Sequence, residues 1–217
     1  MKKTITLVAL FLCTISFAQE LFIVSSNGKY GIVNQHGVVV IEPKYNSIVN
    51  LEKITGNWSK VQIDNLYGIV NKKGGIVIEP QYDIINDFND YRSGWALVKK
   101  GNKYGFINDK GREVVTPVYD SIDRYDEHTK GLSLVDANGL KGFIDKDGNI
   151  VVSVKYSSIE KYDLIRKGWA LVKNKEGKLG FIDKTGKEIV PVIYDDIESF
   201  REKPVEIEET AATSDAE

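Results

Sequence analysis

The chain has 217 residues, 42% of them apolar and 28% charged, with 29 Lys+Arg against 31 Asp+Glu and a formal charge of -2. That length holds one medium domain or a short array of small units, and so even a balance gives no footing for a polyanion-binding surface. One cysteine and two histidines argue against a disulfide scaffold or a Cys/His zinc module, and 19 glycines with 5 prolines against a collagen-like chain.

The first element predicted is an address. Residues 1–20 read MKKTITLVALFLCTISFAQE, with Lys2 and Lys3 as a positive start and Ile5 to Phe17 as an apolar run. Ser16-Phe17-Ala18 offers small residues at the -3 and -1 positions of a cleavage site. The run is shorter than the ~20 apolar residues of a membrane helix. Leu12 before Cys13 is a poor fit to a lipoprotein signal, so cleavage after Ala18 is expected. Removing residues 1–18 takes away Lys2, Lys3 and Cys13 and leaves 27 basic against 31 acidic groups, net -4. Without thiols the exported chain depends on packing alone. No second apolar span follows, so a periplasmic or extracellular protein without a transmembrane segment is expected.

From Leu21 to about Phe200 the chain repeats itself. Glycines recur at Gly31, Gly68, Gly105, Gly142 and Gly180, and again at Gly37, Gly74, Gly111, Gly148 and Gly186. Tyrosines keep the same register at Tyr45, Tyr82, Tyr119, Tyr156 and Tyr194, and tryptophans at Trp58, Trp95 and Trp169. Leu21 and Leu132 fill the two remaining places in the tryptophan class. Five units of about 37 residues result, starting near 21, 58, 95, 132 and 169, within an array spanning 19–201.

Each unit predicts short strands joined by tight turns. In the third copy WALVKK, KYGFIN and REVVTPVY are strands, and SIDRYD is a candidate fourth. The turns NQHG37, NKKG74, NDKG111, DKDG148 and DKTG186 each end in a glycine that can take positive φ, which suits a hairpin with a bulge. No apolar stripe of helical period appears, so the fold is expected to be all-β. Successive hairpin units would stack into an open superhelix or solenoid, the alternative being a closed five-bladed, propeller-like ring.

The segments GWALVKKGNKYGFINDKGREVVTPVYDSI and GWALVKNKEGKLGFIDKTGKEIVPVIYDDI resemble the WG-repeat family of bacterial β-repeat proteins. The resemblance covers essentially all of the mature chain. It departs locally at Leu21, at Gly56-Asn57-Trp58, at Gly131-Leu132, and at Val154 in place of Pro43, Pro80 and Pro117. It implies a modular repeat protein and supplies no shared catalytic residues.

The repeated apolar positions read as core. They include Ile32, Ile69, Phe106, Phe143 and Phe181; Ile48, Ile85, Ile122, Ile159 and Ile197; and Leu51, Phe88, Tyr125, Tyr162 and Phe200. The tryptophans belong with them, since leucine at 21 and 132 keeps the bulk and discards the indole. The candidate ligand surface is the position before the first glycine, occupied by Tyr30, Tyr67 and Tyr104 and then by Lys141 and Leu179. Tyrosines there can stack on a sugar, anchor a protein, or simply cover strand edges.

The acidic residues around the repeated tyrosine (Asp83, Asp87, Asp120, Asp123, Glu160, Asp195, Asp196 and Glu198) read as a solvated face. Residues 145–149, DKDGN, read as a hairpin turn, because the rest of a calcium loop is missing. His36 and His128 have no counterpart in other units, and no hydrolase, metalloprotease or phosphate-loop motif is present. Residues 202–217, with six acidic groups and one lysine, form an acidic tail expected to be disordered. The sequence therefore predicts an exported, non-catalytic monomer without cofactor, metal or nucleic acid. Its expected role is protein interaction or scaffolding at the cell envelope, the alternative being glycan or cell-wall binding.

Overall fold

The structure, a computed structural model, describes residues 20–50 and 57–198. The expected signal peptide and acidic tail, with Leu51, Gly56 and Phe200, lie outside the described residues. Among these the secondary structure is entirely β, in five antiparallel sheets, none of which closes into a barrel. The first sheet holds β1 (Leu21–Ser26), β2 (Lys29–Asn34) and β3 (Val39–Tyr45). The second holds β4 (Ser47–Asn50), β5 (Trp58–Ile63), β6 (Leu66–Asn71) and β7 (Ile76–Tyr82). The third holds β8 (Ile84–Ile85), β9 (Trp95–Lys100), β10 (Lys103–Asn108) and β11 (Glu113–Tyr119). The fourth holds β12 (Ser121–Ile122), β13 (Leu132–Ala137), β14 (Leu140–Asp145) and β15 (Ile150–Tyr156). The fifth holds β16 (Ser158–Ile159), β17 (Trp169–Lys173), β18 (Leu179–Asp183) and β19 (Glu188–Tyr194).

The fourth strand anticipated from SIDRYD exists, shortened to Ser121–Ile122, but it belongs to the next sheet. Ile48 pairs with Val61, Ile85 with Val98, Ile122 with Val135 and Ile159 with Val172. Each of the first four units thus hands a short strand forward, and sequence repeat and sheet are offset by that strand.

The two glycine classes have different causes. At Gly105 a Cβ would lie 2.3 Å from the Val115 carbonyl oxygen and 2.7 Å from the Pro117 nitrogen. The neighbouring strand runs close against it, so only hydrogen fits. Gly111 instead turns the chain with φ +76°, a conformation that costs glycine little. Ahead of that turn, Asn108 Oδ1 accepts the amides of Lys110 and Arg112, both at 3.0 Å. Asn34, Asn71, Asp145 and Asp183 do the same in their own turns. The turn is therefore written twice, once in glycine φ and once in a side-chain acceptor.

The chain divides into two compact units between Pro117 and Val118. In the first, Ile32, Ile41 and Tyr45 pack with Val61 and Val70. A second cluster there joins Ile69, Ile78, Tyr82, Ile85 and Phe88 to Ala96, Val98 and Ile107. In the second unit Phe143, Val152, Tyr156 and Tyr162 pack with Ala170, Val172 and Ile182. Each cluster draws on two successive sheets, as nearest-neighbour stacking requires. Each fully buried side chain of this size contributes roughly 1.5–3 kcal/mol.

Of the expected apolar classes, the one that follows the first glycine is buried throughout. The class of Ile32, Ile69, Phe106, Phe143 and Phe181 is at most 5% exposed. Trp95 is buried and meets Phe106 at 5.5 Å, while Trp58 and Trp169 are half-buried against Phe88 and Phe181. Tyr82 Oη donates to Glu113 at 3.1 Å; burial, then the adjacent carboxylate, pushes its pKa up to about 12.

Candidate functional site

The position before the first glycine lies on the second long strand of every sheet. Tyr30 pairs across to Tyr45, Tyr67 to Tyr82, Lys141 to Tyr156 and Leu179 to Tyr194. The repeat thus places these side chains at equivalent points in their own sheets, but their surroundings differ. Tyr30 is 40% exposed, whereas Tyr67 and Tyr104 are half-buried. Lys60 Nζ stands 5.6 Å from the Tyr67 ring centroid, and Lys99 Nζ 5.6 Å from that of Tyr104. Both are cation–π contacts, so one face of each ring already carries a cation. Lys141, the fourth member, pairs with Asp136 at 2.7 Å instead.

Tyr67 borders an open groove of about 430 Å³ lined also by Lys60, Asp83, Ile84, Asp87 and Asp90. Lys60 Nζ donates to the Ile85 carbonyl at 3.1 Å. Three carboxylates, one committed lysine and the 40% exposed Ile84 give this groove an acidic and partly apolar wall. Among the described residues no group of three or more His, Cys, Asp or Glu side chains is placed to hold a metal ion.

The acidic residues around the repeated tyrosine are exposed except for the half-buried Asp123, and several also clamp the fold. Asp83 Oδ2 accepts the Gly101 amide at 2.6 Å, and Asp120 Oδ2 the Asn138 amide at 2.6 Å. Asn46 holds Asp64 in the same way at 3.3 Å. Each acceptor sits just after its tyrosine and grips the hairpin of the following sheet.

Asp145, in the DKDGN run, is a turn residue. Burial alone would raise its pKa, but hydrogen bonds from the Asn149 side chain and the 147–149 amides hold it below the usual value. His128 Nε2 lies 2.8 Å from Asp123 Oδ2, and its ring meets Phe143 at 6.3 Å. Tyr91 meets Phe106 at 5.8 Å from the equivalent place, so His128 occupies a packing position. His36 sits in an exposed turn beside Gln35.

Sequence reasoning missed one contact. The Arg92 guanidinium lies 4.1 Å from the Trp95 ring centroid, and Arg166 lies 4.5 Å from that of Trp169. Its signal is arginine three residues before tryptophan, in R-S-G-W and R-K-G-W.

Fold and surface together define a tandem all-β repeat protein, in which each unit of about 37 residues supplies three long strands and the first four each lend a short one forward. The profile of the WG containing repeat matches residues 30–67, 67–104, 104–140, 142–178 and 180–203, and the chain belongs to that family. No curated protein matches it. Among solved structures it is similar to the WD40 beta propeller domain of Doa1, with 13% identity over 76% of this chain and 62% of that one, at a TM-score of 0.27. It is similar also to Hsv2 of Kluyvelomyces marxianus, with 12% identity over 78% and 60% at a TM-score of 0.27. Apo AztD from Citrobacter koseri gives 15% over 75% and 55% at 0.24. The chain therefore spans 55–62% of the length of these solved chains.

Proposed function

We propose that the protein is exported, is not an enzyme, and serves as an interaction module at the cell envelope. It binds a protein partner through the tyrosine positions and the groove beside Tyr67. The observation that carries the choice of partner is the lysine over each of Tyr67 and Tyr104. A sugar platform needs open ring faces. A ring with one face occupied by a cation still offers its edge and hydroxyl to a polypeptide, and tyrosine is a frequent anchor in protein interfaces. The groove's acidic and apolar lining suits a segment carrying basic and aliphatic side chains. Export rests on the residues ahead of Gln19, and the non-catalytic reading on the packing and turn roles of the unrepeated histidines.

The test is retention on immobilised mature chain, residues 19–217. Envelope extract and protein-free cell-wall polysaccharide are offered separately to the unaltered chain and to a Tyr67→Ala, Tyr104→Ala variant. A discrete protein held by the first and lost by the second is the expected result. Polysaccharide binding with the same dependence on the tyrosines would replace the proposal with glycan binding.

A further inference from the structure

Four of the five sheets carry four strands, and the first carries three. What it lacks is the short strand that every other sheet receives from the unit before it. At the far end, Tyr194 is followed by Asp195-Asp196-Ile197-Glu198, which lie outside any strand. Of these, Asp196 and Ile197 occupy the positions that form β8, β12 and β16 and open β4 in the earlier units. Among the described residues the array therefore has one acceptor edge without a donor and one donor segment without an acceptor.

Burial reports both deficits. Val61, Val98, Val135 and Val172, which receive the donor isoleucines, are all 0% exposed, whereas Val24 at the equivalent point of β1 is half-buried. Tyr45, Tyr82, Tyr119 and Tyr156 are at most 6% exposed, and Tyr194 is 45% exposed. The first strand also presents Phe22 and Ile23, at 50% and 53%. Unpaired edges with apolar side chains are templates for strand addition.

We propose that a second copy of this chain completes the edge, its Asp195–Glu198 segment adding to β1 in the register of the internal junctions. Ile197 then pairs with Val24, and Asp196 with Ser25. The Asp195 amide donates to the Ser25 carbonyl, as the Asp83 amide does to Lys99 at 2.9 Å and that of Asp120 to Asp136 at 2.8 Å. The Asp195 carboxylate reaches the Asn27 amide, as Asp83 and Asp120 reach Gly101 and Asn138. Charge permits the match, for the donor is acidic and residues 21–31 carry a single charge, Lys29.

One position departs from the internal pattern. Phe22 stands where Ser59, Ala96, Ser133 and Ala170 lie, each at most 8% exposed. The larger ring keeps the faces of two copies from meeting as closely as internal neighbours do, so edge pairing holds the junction and association is reversible. The contact joins unlike surfaces, and such head-to-tail joints build chains or rings of copies. This departs from the expected monomer and stands on sheet edges, apart from Tyr67 and Tyr104, while Ser25 faces Tyr30 across β1 and β2.

The mature chain has no cysteine, which makes the test direct. Ser25→Cys and Asp196→Cys are made in separate chains, both at exposed positions, and mixed under mild oxidation. Paired strand residues lie ~5.5 Å apart at Cα, inside the ~4.4–6.8 Å range of a disulfide. The expected product is a disulfide heterodimer that neither variant forms alone, that disappears with Ile197→Asp in the second chain, and that leaves the partner retention that depends on Tyr67 and Tyr104 unchanged. Absence of the heterodimer, or its appearance in equal amount with Ile197→Asp, overturns the proposal. So does a double variant in one chain that closes quantitatively on itself and stays monomeric.

Discussion

Trp95 is the most demanding test of the packing argument. Trp95→Ala removes a side chain 7% exposed, tilted against Phe106 at 5.5 Å and covered by the Arg92 guanidinium at 4.1 Å. Truncating a buried tryptophan costs about 3–5 kcal/mol in lost transfer energy and residual cavity. Loss of the cation–π contact adds about 0.5–1 kcal/mol. A domain holds only about 5–15 kcal/mol in total, and at a slope near 2–3 kcal/mol/M the unfolding midpoint should fall by about 1.2–3 M urea. Trp95→Leu should cost less, about 1–2 kcal/mol, because Leu21 and Leu132 already serve at this place. Trp169→Ala, at a half-buried ring, should fall between them. The assay is urea unfolding followed by circular dichroism. A midpoint shift below about 0.4 M for Trp95→Ala, or a larger loss at Trp169 than at Trp95, would refute the reasoning.

Gly105→Ala should destabilise by about 2–3 kcal/mol, because the added Cβ meets only backbone and the strands must part; Gly101→Ala, with open space around it, should cost about 1 kcal/mol in φ strain. The reverse ranking in the same urea assay would dispose of the close-approach account. Acid should weaken the fold. The Gly131 amide and Lys146 hold Asp126, and the Gly168 amide and Lys184 hold Asp163, below the ordinary 3.8. Such carboxylates contribute stability that is present above that value and lost as pH falls through the lower, folded one. The urea midpoint should therefore be flat from about pH 7 to 5 and drop below about pH 4, less steeply in an Asp126→Asn, Asp163→Asn variant. A midpoint that rises on acidification would contradict this.

The period, the three long strands and the apolar class after the first glycine were legible because each depends on local backbone chemistry or on a face repeated in register. A glycine that a partner strand would strike cannot vary without moving the sheet. An Asn or Asp that accepts two amides of its own turn is equally bound to its place. The destination of the short strand was not legible. Ser121 and Ile122 pair with Asp136 and Val135, and nothing within two β-residues says which edge they will join. Asp83 and Asp120 look merely solvated in the sequence for a related reason. Their exposure is real, but the amide each accepts lies 18 residues ahead, beyond the reach of any local motif.

The tyrosine positions show where repetition stops being informative. A position that recurs in all five units and stays buried in the internal ones, such as Val61, Val98, Val135 and Val172, reports the stacking contact and says little about binding. Tyr30, Tyr67, Tyr104, Lys141 and Leu179 recur in place but pass from tyrosine to lysine to leucine along the array, and not all share a partner. Two tyrosines sit under lysines and Lys141 is held by Asp136. The backbone offers the same position five times; Tyr67 and Tyr104 fill it alike, and the other three units differ. That supports the proposed recognition of a polypeptide surface, in which units need not meet the same neighbour. A regular polymer would more naturally be met by one side chain repeated. The two ends of the array obey the same logic in reverse. Phe22 and Tyr194 are exposed at places where internal copies are buried, because a repeat contact is satisfied only by the next sheet.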